Sequence, residues 1–283
     1  MHDRDALTDT AVIIPVHNGE RYVGELLESL TAQDDKNFSV VIADNGSLDK
    51  SMHVVESFRG QFELTIVDAS MGSGKAYALN RAISSTPATK LLFVDQDDTV
   101  QTSYVSAMDS ALDNFPLVAA KMDSSLLNNQ YEIPPRFAPP NQKIGQFAIK
   151  VAAGGTLGAR RCVFDKIGLF DETFDYSTND VEFCCRAHYA GYDMQLVENA
   201  TVNYRFRKSL IENYRQGVYY GIGNFAISRI YPEVRSPQKS LPGLIADMGV
   251  SALSFAAHRA TRARDAHNIG KSVGQVGALL YRS

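Results

Sequence analysis

Leu91-Leu92-Phe93-Val94-Asp95-Gln96-Asp97-Asp98, residues 91–98, decides how this chain is read. Four apolar residues run without a break into a segment holding three carboxylates. An unbroken apolar run of this length suits a strand buried on both faces, as in a parallel sheet. A carboxylate directly behind such a run is expensive to place unless something pairs with it. Ligands of a parallel sheet bind beyond the carboxyl ends of its strands. The stretch therefore predicts a core strand that opens into a binding crevice.

Upstream, Val12-Ile13-Ile14, Val40-Val41-Ile42-Ala43 and Leu64-Thr65-Ile66-Val67 are runs of the same kind, recurring every 24–28 residues. Helical patterns fill the gaps. Tyr22, Val23, Leu26, Leu27 and Leu30 fall on one face, with Asn18-Gly19 placed to cap them. Ser47 to Phe58 would bury Met52, Val55 and Phe58, and Lys75 to Ile83 would bury Ala76, Leu79 and Ile83. Alternating strand and helix predict an α/β fold, a Rossmann-like, mainly parallel sheet flanked by helices. Residues 123–146 break the pattern with Asn128-Asn129, Pro134-Pro135 and Pro139-Pro140, and regular structure is expected to resume near Phe147. Residues 162–190 read as partly helical. From Leu210 the chain reads as mainly helical, with Leu244, Ile245, Met248, Ala252 and Phe255 sharing a face. The expected organisation is one domain over 1–230, with a nucleotide-binding half at about 1–122 and an acceptor half at about 123–230. Residues 231–283 form a helical C-terminal extension.

Composition supports an ordinary globular chain: 283 residues, 45% hydrophobic and 21% charged. Met1 to Asp9 lacks the pattern of a signal peptide, and Gly243 to Ala257 is too short for a membrane span and contains Asp247. A cytoplasmic protein is expected, at large or at the inner face of the membrane. Cys162, Cys184 and Cys185 give neither a disulfide framework nor zinc spacing, so buried, reduced thiols are expected. The net charge of −4 is uneven: residues 205–283 carry twelve basic and four acidic side chains. Such a basic segment suits phosphates, an anionic membrane surface or simply solvent.

Several groups gather at the strand ends. Asp44, in Asp44-Asn45-Gly46-Ser47, could bond a base or ribose, and the same four residues are good turn chemistry. Asp95 and Asp97 are two apart, and in an extended loop they could converge on one hard cation, since Mg²⁺ and Mn²⁺ favour oxygen ligands. Gly72-Ser73-Gly74-Lys75 resembles a phosphate loop but lacks it, with Ala69 where Gly is needed and Ala76 where Ser or Thr is needed. Lys75 is then the first residue of a helix, close enough to touch a phosphate. Asp180 precedes an apolar helical pattern, where an acid also suits the helix dipole.

Taken together these residues resemble the family 2 glycosyltransferases, which have the GT-A fold. Val12-Ile13-Ile14-Pro15-Val16-His17-Asn18 is similar to the opening strand of that family. Ala43 to Asp49 is similar to its Asp-Asp-Gly-Ser-x-Asp turn, with Asn45 in the second acidic place. Gly72 to Asn80 resembles its Gly-rich segment, and Phe93 to Asp98 its Asp-x-Asp signature. Gly154-Gly155-Thr156, Gly168-Leu169-Phe170-Asp171-Glu172 and Asn179-Asp180-Val181-Glu182 resemble the approach to its catalytic acid, with Asn179 where Glu is usual. The resemblance runs from about Ala11 to Gly223.

The resemblance implies an inverting transfer from a nucleotide-diphosphate sugar, with UDP the commonest nucleotide, to a hydroxyl of a saccharide or lipid-linked acceptor. Pro15, Val16, Asn18 and Asp44 would hold the nucleoside, and Gly74, Lys75, Asp95, Gln96 and Gly155 would complete the donor site. Asp97, with Asp95, would ligate Mg²⁺ or Mn²⁺, and Asp180 would be the general base. Tyr204 stands where the family often places a metal-binding histidine, so Arg205 or Arg207 could stabilise the diphosphate instead. Tyr214-Arg215-Gln216-Gly217 and Tyr219-Tyr220-Gly221 resemble segments near the donor phosphates. No nucleic-acid partner is expected. The tail from Leu241 to Arg264 would suit a membrane surface or a homodimer interface, and the loop from Asp123 to Gln146 would shape the acceptor side. Two other readings compete: a GT-A-like nucleotidyltransferase, which needs a Gly-rich basic loop after the first strand, and a non-catalytic nucleotide-sugar-binding protein, which would lose Asp97 or Asp180.

Overall fold

The computed structural model describes residues 8–128, 149–174, 177–234 and 239–280. The four apolar runs are four strands: β1 (Thr10–Val16), β2 (Ser39–Asp44), β3 (Glu63–Asp68) and β4 (Lys90–Phe93). They lie parallel in the order β3-β2-β1-β4, with Ile13 level with Val41 on one side and Phe93 on the other. All four carboxyl ends therefore open on the same edge. Beyond β4 the sheet turns mixed, through β7 (Leu157–Arg160), β6 (Leu117–Asp123), β8 (Gln195–Asn203) and β5 (Thr99–Val100). β7 runs antiparallel to both β4 and β6, whereas β8 is parallel to β6.

Helices cover both faces. On one, α3 (Lys75–Ser85), α5 (Arg161–Ile167) and α6 (Asn179–Tyr189) pack on Ile13, Val41, Leu91 and Phe93. On the other, α1 (Val23–Thr31) and α4 (Tyr104–Asn114) pack on Val12, Ile14, Val40 and Leu92. Alternate residues of each strand supply the two layers, which is why the strands read as unbroken apolar runs. The helices α7 (Leu210–Ile230), α8 (Leu241–Ala257) and α9 (Arg262–Leu280) follow.

Four details depart from the sequence expectations. The helix after β2, α2, covers only Ser51–Glu56, because the loop to Lys50 is held open: the Ser51 N–H donates to Asp49 Oδ1 and the Glu20 N–H to Asp49 Oδ2, both at 3.0 Å. Asn18 does not cap α1, which starts at Val23 after Tyr22; its Oδ1 accepts the Leu48 N–H at 2.8 Å instead. Cys162 is exposed, while Cys184 and Cys185 are buried. The proposed common face of α8 divides: Leu244 is buried, whereas Ile245 is exposed. The Pro-rich stretch and the restart near Phe147 fall in 129–148, outside the described residues.

An aromatic cluster links the strand carrying Asp95 to the helix carrying Asp180. Phe93 at the end of β4 meets Phe170 edge-on at 5.5 Å, and Phe164 stacks on Phe183 of α6 at 4.8 Å. Asn80 of α3 pins the same segment: its Oδ1 accepts the Phe170 N–H at 3.0 Å and its amide donates to the Phe170 carbonyl at 2.9 Å. Truncating a ring buried like Phe183 costs about 3–5 kcal/mol, so the spacing of the two acids is set by the core.

Candidate active site

β4 ends at Phe93 and the chain turns at once. The Asp98 N–H donates to the Asp95 carbonyl at 3.1 Å. Asp95 to Asp98 is thus a tight turn rather than an extended loop, and its carboxylates take separate partners. Lys75 pairs with Asp95, and Arg207 pairs with Asp97 at 2.5 Å. Asp98, buried beneath them, accepts the Arg205 N–H at 2.9 Å, while Arg205 Nε donates to the Asp97 carbonyl at 2.8 Å. The Arg205 guanidinium also reaches Glu25 and lies 4.9 Å over the Tyr22 ring. The segment after β8 is thereby bolted to the acidic turn.

This turn holds more negative charge than its burial favours. Burial raises the Asp97 carboxyl above the usual range, Arg207 pulls it down, and Asp95 pushes it up again. Asp98 is raised well above that range by burial, then by Asp97 and Asp95. Lys75 is opposed by its own burial, but Asp95, then Asp180 and Asp97, hold its ammonium protonated above the ordinary lysine value.

Lys75 opens α3, and the loop before it is shaped by Asn45. The Asn45 amide donates to the carbonyls of Ala69 at 2.7 Å and Gly72 at 2.9 Å, and its Oδ1 accepts the Gly74 N–H at 2.9 Å. An aspartate could not donate the first two bonds, which accounts for an amide in the family's acidic place. Gly74 has φ +98° immediately before the helix, a conformation that favours glycine.

Asp180 is the second residue of α6. Its Oδ2 accepts the Gly154 N–H at 2.7 Å and its Oδ1 the Val181 N–H at 2.8 Å. Burial raises its carboxyl above the usual value, against the pull of Lys75 and the two N–H donors. A side chain at Gly154 would place Cβ 2.9 Å from Lys75 Nζ and 3.5 Å from Asp180 Oδ2. At Gly155 it would lie 3.2 Å from both Asp95 Cγ and Asp98 Oδ2. The two glycines let Lys75, Asp95 and Asp180 close around one point.

These groups line a cleft of about 1010 Å³ at the carboxyl edge of the sheet, ample for a drug-sized ligand and more. Of the residues singled out from sequence, Pro15, Val16, Gly74, Lys75, Asp95, Gln96, Asp97, Gly155 and Asp180 all line it. Asn18 and Asp44 do not. Asn18 is occupied with Leu48, and the Asp44 carboxylate accepts the Ser47 N–H at 2.9 Å. Gln96 braces β1, accepting the His17 N–H at 2.9 Å and donating to its carbonyl at 3.1 Å.

His17, Tyr204, Arg207, Arg215, Tyr219 and Tyr220 line the cleft as well. Arg207 is 110 positions from its partner Asp97, and no local spacing announces that pairing; its place just after β8 is the only signal. Burial pushes the Tyr204 and Tyr220 phenols up, Tyr204 well up, so both stay neutral.

The description "Glycosyl transferase family 2" belongs to a family profile that matches residues 11–168, more than half of the chain. The poly(ribitol-phosphate) beta-N-acetylglucosaminyltransferase TarS of Staphylococcus aureus (strain Mu50 / ATCC 700699) is 36% identical over 93 residues, 32% of this chain and 16% of TarS. The chain therefore spans about a sixth of that relative. Among solved structures, S. aureus TarS 1-349 in complex with UDP-GlcNAc superposes with a TM-score of 0.59 at 19% identity, covering 97% of this chain and 91% of that one. The mannosyltransferase PcManGT from Pyrobaculum calidifontis, in complex with GDP-Man and Mn2+, gives 0.67 at 17% identity, covering 96% and 88%. At these identities the superpositions show a shared GT-A fold, and together with the profile match they establish that the chain belongs to glycosyl transferase family 2.

Proposed function

We propose that this chain transfers a sugar, with inversion, from a nucleotide-diphosphate sugar, a UDP-sugar foremost, to a hydroxyl of a saccharide or lipid-linked acceptor. The observation that carries the reading is the meeting of Asp180, Lys75 and Asp95 around Gly154 and Gly155 in the cleft. Relatives support the donor class: one TarS structure holds UDP-GlcNAc and the PcManGT structure holds GDP-Man.

In this reading Asp180 takes the proton of an acceptor hydroxyl as its oxygen attacks the anomeric carbon. The bond from that carbon to the diphosphate breaks, and the nucleoside diphosphate leaves. A buried carboxyl with a raised pKa is a better base than an ordinary one, provided it is ionised at working pH. Its fixed bonds to the Gly154 and Val181 N–H groups hold its orientation before substrate arrives. Lys75 and Arg207 supply positive charge at the phosphate end, where the leaving group's charge grows.

A divalent cation fits the acidic turn. A diphosphate entering beside Asp95, Asp97 and Asp98 brings more negative charge to groups already raised by burial and mutual repulsion. Asp97 and Asp95 would hold the ion, an oxygen set that suits Mg²⁺ or Mn²⁺. No third His, Cys, Asp or Glu completes a metal cluster among the described residues, and neutral Tyr204 is a poor ligand, so donor oxygens and water would fill the shell. When bound, the ion would neutralise charge on the departing diphosphate.

The test is a thermal-shift screen over UDP-, dTDP- and GDP-sugars, followed by mass detection of transfer from the stabilising donor. Stabilisation by one donor family, with a transferred hexose on an offered acceptor, is expected. No stabilisation by any nucleotide sugar would overturn the reading.

A further inference from the structure

We infer that α8 is a surface helix that lies on an anionic lipid bilayer. Its outward face is apolar, where a helix of a water-soluble fold normally carries polar residues. Around its outward half stand Leu241, Ile245, Val250 and Leu253, 40, 55, 68 and 74% exposed, with only Pro, Gly and Ala between them on that arc. Ser254 faces the protein, and Asp247 stays partly exposed beside the apolar arc, neutralised by its partner. Ser254 donates to Asp265 Oδ2 at 2.7 Å, and the sole charged residue of the helix, Asp247, pairs with Lys239 at 2.5 Å. An amphipathic helix normally turns its apolar stripe to the core; here only Leu244 is buried.

Charge selects the occupant. From Lys239 to Asp265 there are four Lys/Arg and two Asp; Lys239 pairs with Asp247 and Arg264 with Asp265, and Arg259 and Arg262 follow the helix closely. An apolar face with basic flanks suits the headgroup–acyl boundary of an anionic membrane. A second copy of the chain would bring the same basic flanks against its own, and the face offers none of the exposed aromatic anchors that tight protein interfaces favour. The helix has 17 residues, about 25 Å at 1.5 Å per residue. Among the described residues no helix is long and apolar enough to cross a membrane, so α8 rests on the surface. Its inner side packs on α9, and α9 packs on α7, whose Arg215, Tyr219 and Tyr220 line the cleft. The inference does not depend on which ligand the cleft takes.

The experiment is co-sedimentation of the whole chain with phosphatidylcholine vesicles, with and without about one third phosphatidylglycerol. Binding is expected only with the anionic lipid, and should fall as salt rises. The double variant Val250→Asp/Leu253→Asp should bind at least about tenfold more weakly, and Arg259→Ala about fivefold more weakly, one cation's share of the attraction. Both change solvent-facing side chains, so an unchanged melting temperature checks that they fold. Absence of wild-type binding to anionic vesicles, or full binding by the double variant, would overturn the inference. So would a wild-type dimer that the double variant converts to monomer without any vesicle binding, which would assign the face to a second copy.

Discussion

Replacing Gly221 by alanine tests how the wall of the cleft is held. Helices α7 and α9 touch backbone to backbone at four glycines. A Cβ at Gly217 would lie 2.1 Å from the His267 carbonyl oxygen, and at Gly221 2.2 Å from that of Lys271. Reciprocally, Gly270 and Gly274 would each press within 2.1 Å of the carbonyls of Tyr214 and Val218. Ordinary contact begins near 3.4 Å, so the helices would have to part by roughly 1 Å, and overpacking of that kind costs about 1–3 kcal/mol. Alanine regains about 1 kcal/mol of helix propensity over glycine. Gly277, on the same helix α9, meets nothing within 4 Å, so Gly277→Ala receives the propensity gain alone. The difference between the two variants isolates the steric term. It should appear in urea denaturation followed by circular dichroism as about 1–3 kcal/mol, or roughly 2–5 °C in melting temperature for a chain of this size. Equal stability of Gly221→Ala and Gly277→Ala would refute the close packing.

Three further outcomes follow from the site. Arg207→Ala removes the cation paired with Asp97 and should weaken binding of the nucleoside diphosphate by about tenfold to a hundredfold, one to two charge-assisted bonds; an unchanged calorimetric dissociation constant would contradict its place at the phosphates. Lys75→Met removes the positive charge that holds the Asp180 pKa down, so that pKa should rise and the acid limb of the pH–rate profile should move to higher pH; an unmoved limb would separate Lys75 from the base. Asp97→Ala should weaken donor binding in the presence of Mg²⁺, and an unchanged affinity with metal present would count against coordination there.

The first four strands were legible because β1, β2 and β4 are buried on both faces and carry their burial as unbroken apolar runs, while the edge strand β3, only partly buried, is still apolar at Leu64, Ile66 and Val67. The far half of the sheet was not legible. β6 reads Leu-Val-Ala-Ala-Lys-Met-Asp and β8 reads Gln-Leu-Val-Glu-Asn-Ala-Thr-Val-Asn, each mixing polar residues into a strand whose pairing slips at Ala120/Lys121. β5 has two residues and β7 four, too short for any periodicity. In the site, Asp95, Asp97 and Asp180 stood out because acids beside apolar runs are rare and ordered. Arg205 and Arg207 carried no local mark as partners of the acidic turn, since the pairing exists only once β8 has been laid beside β5 and β6. Asp44 also takes part in the turn after β2, where its Oδ1 accepts the Ser47 N–H.

If Asp180 is the base in sugar transfer, the variant Asp180→Asn should lose transfer and keep the donor. The amide keeps the shape of the side chain and can still accept the Gly154 N–H through its oxygen, but it cannot take a proton at working pH. Single-turnover transfer and donor affinity should be measured on the same preparation. Donor binding close to wild type is expected, with a transfer rate at least about a hundredfold lower, the lower end of what general base catalysis contributes. Equal transfer rates for Asp180→Asn and the wild type would contradict that role.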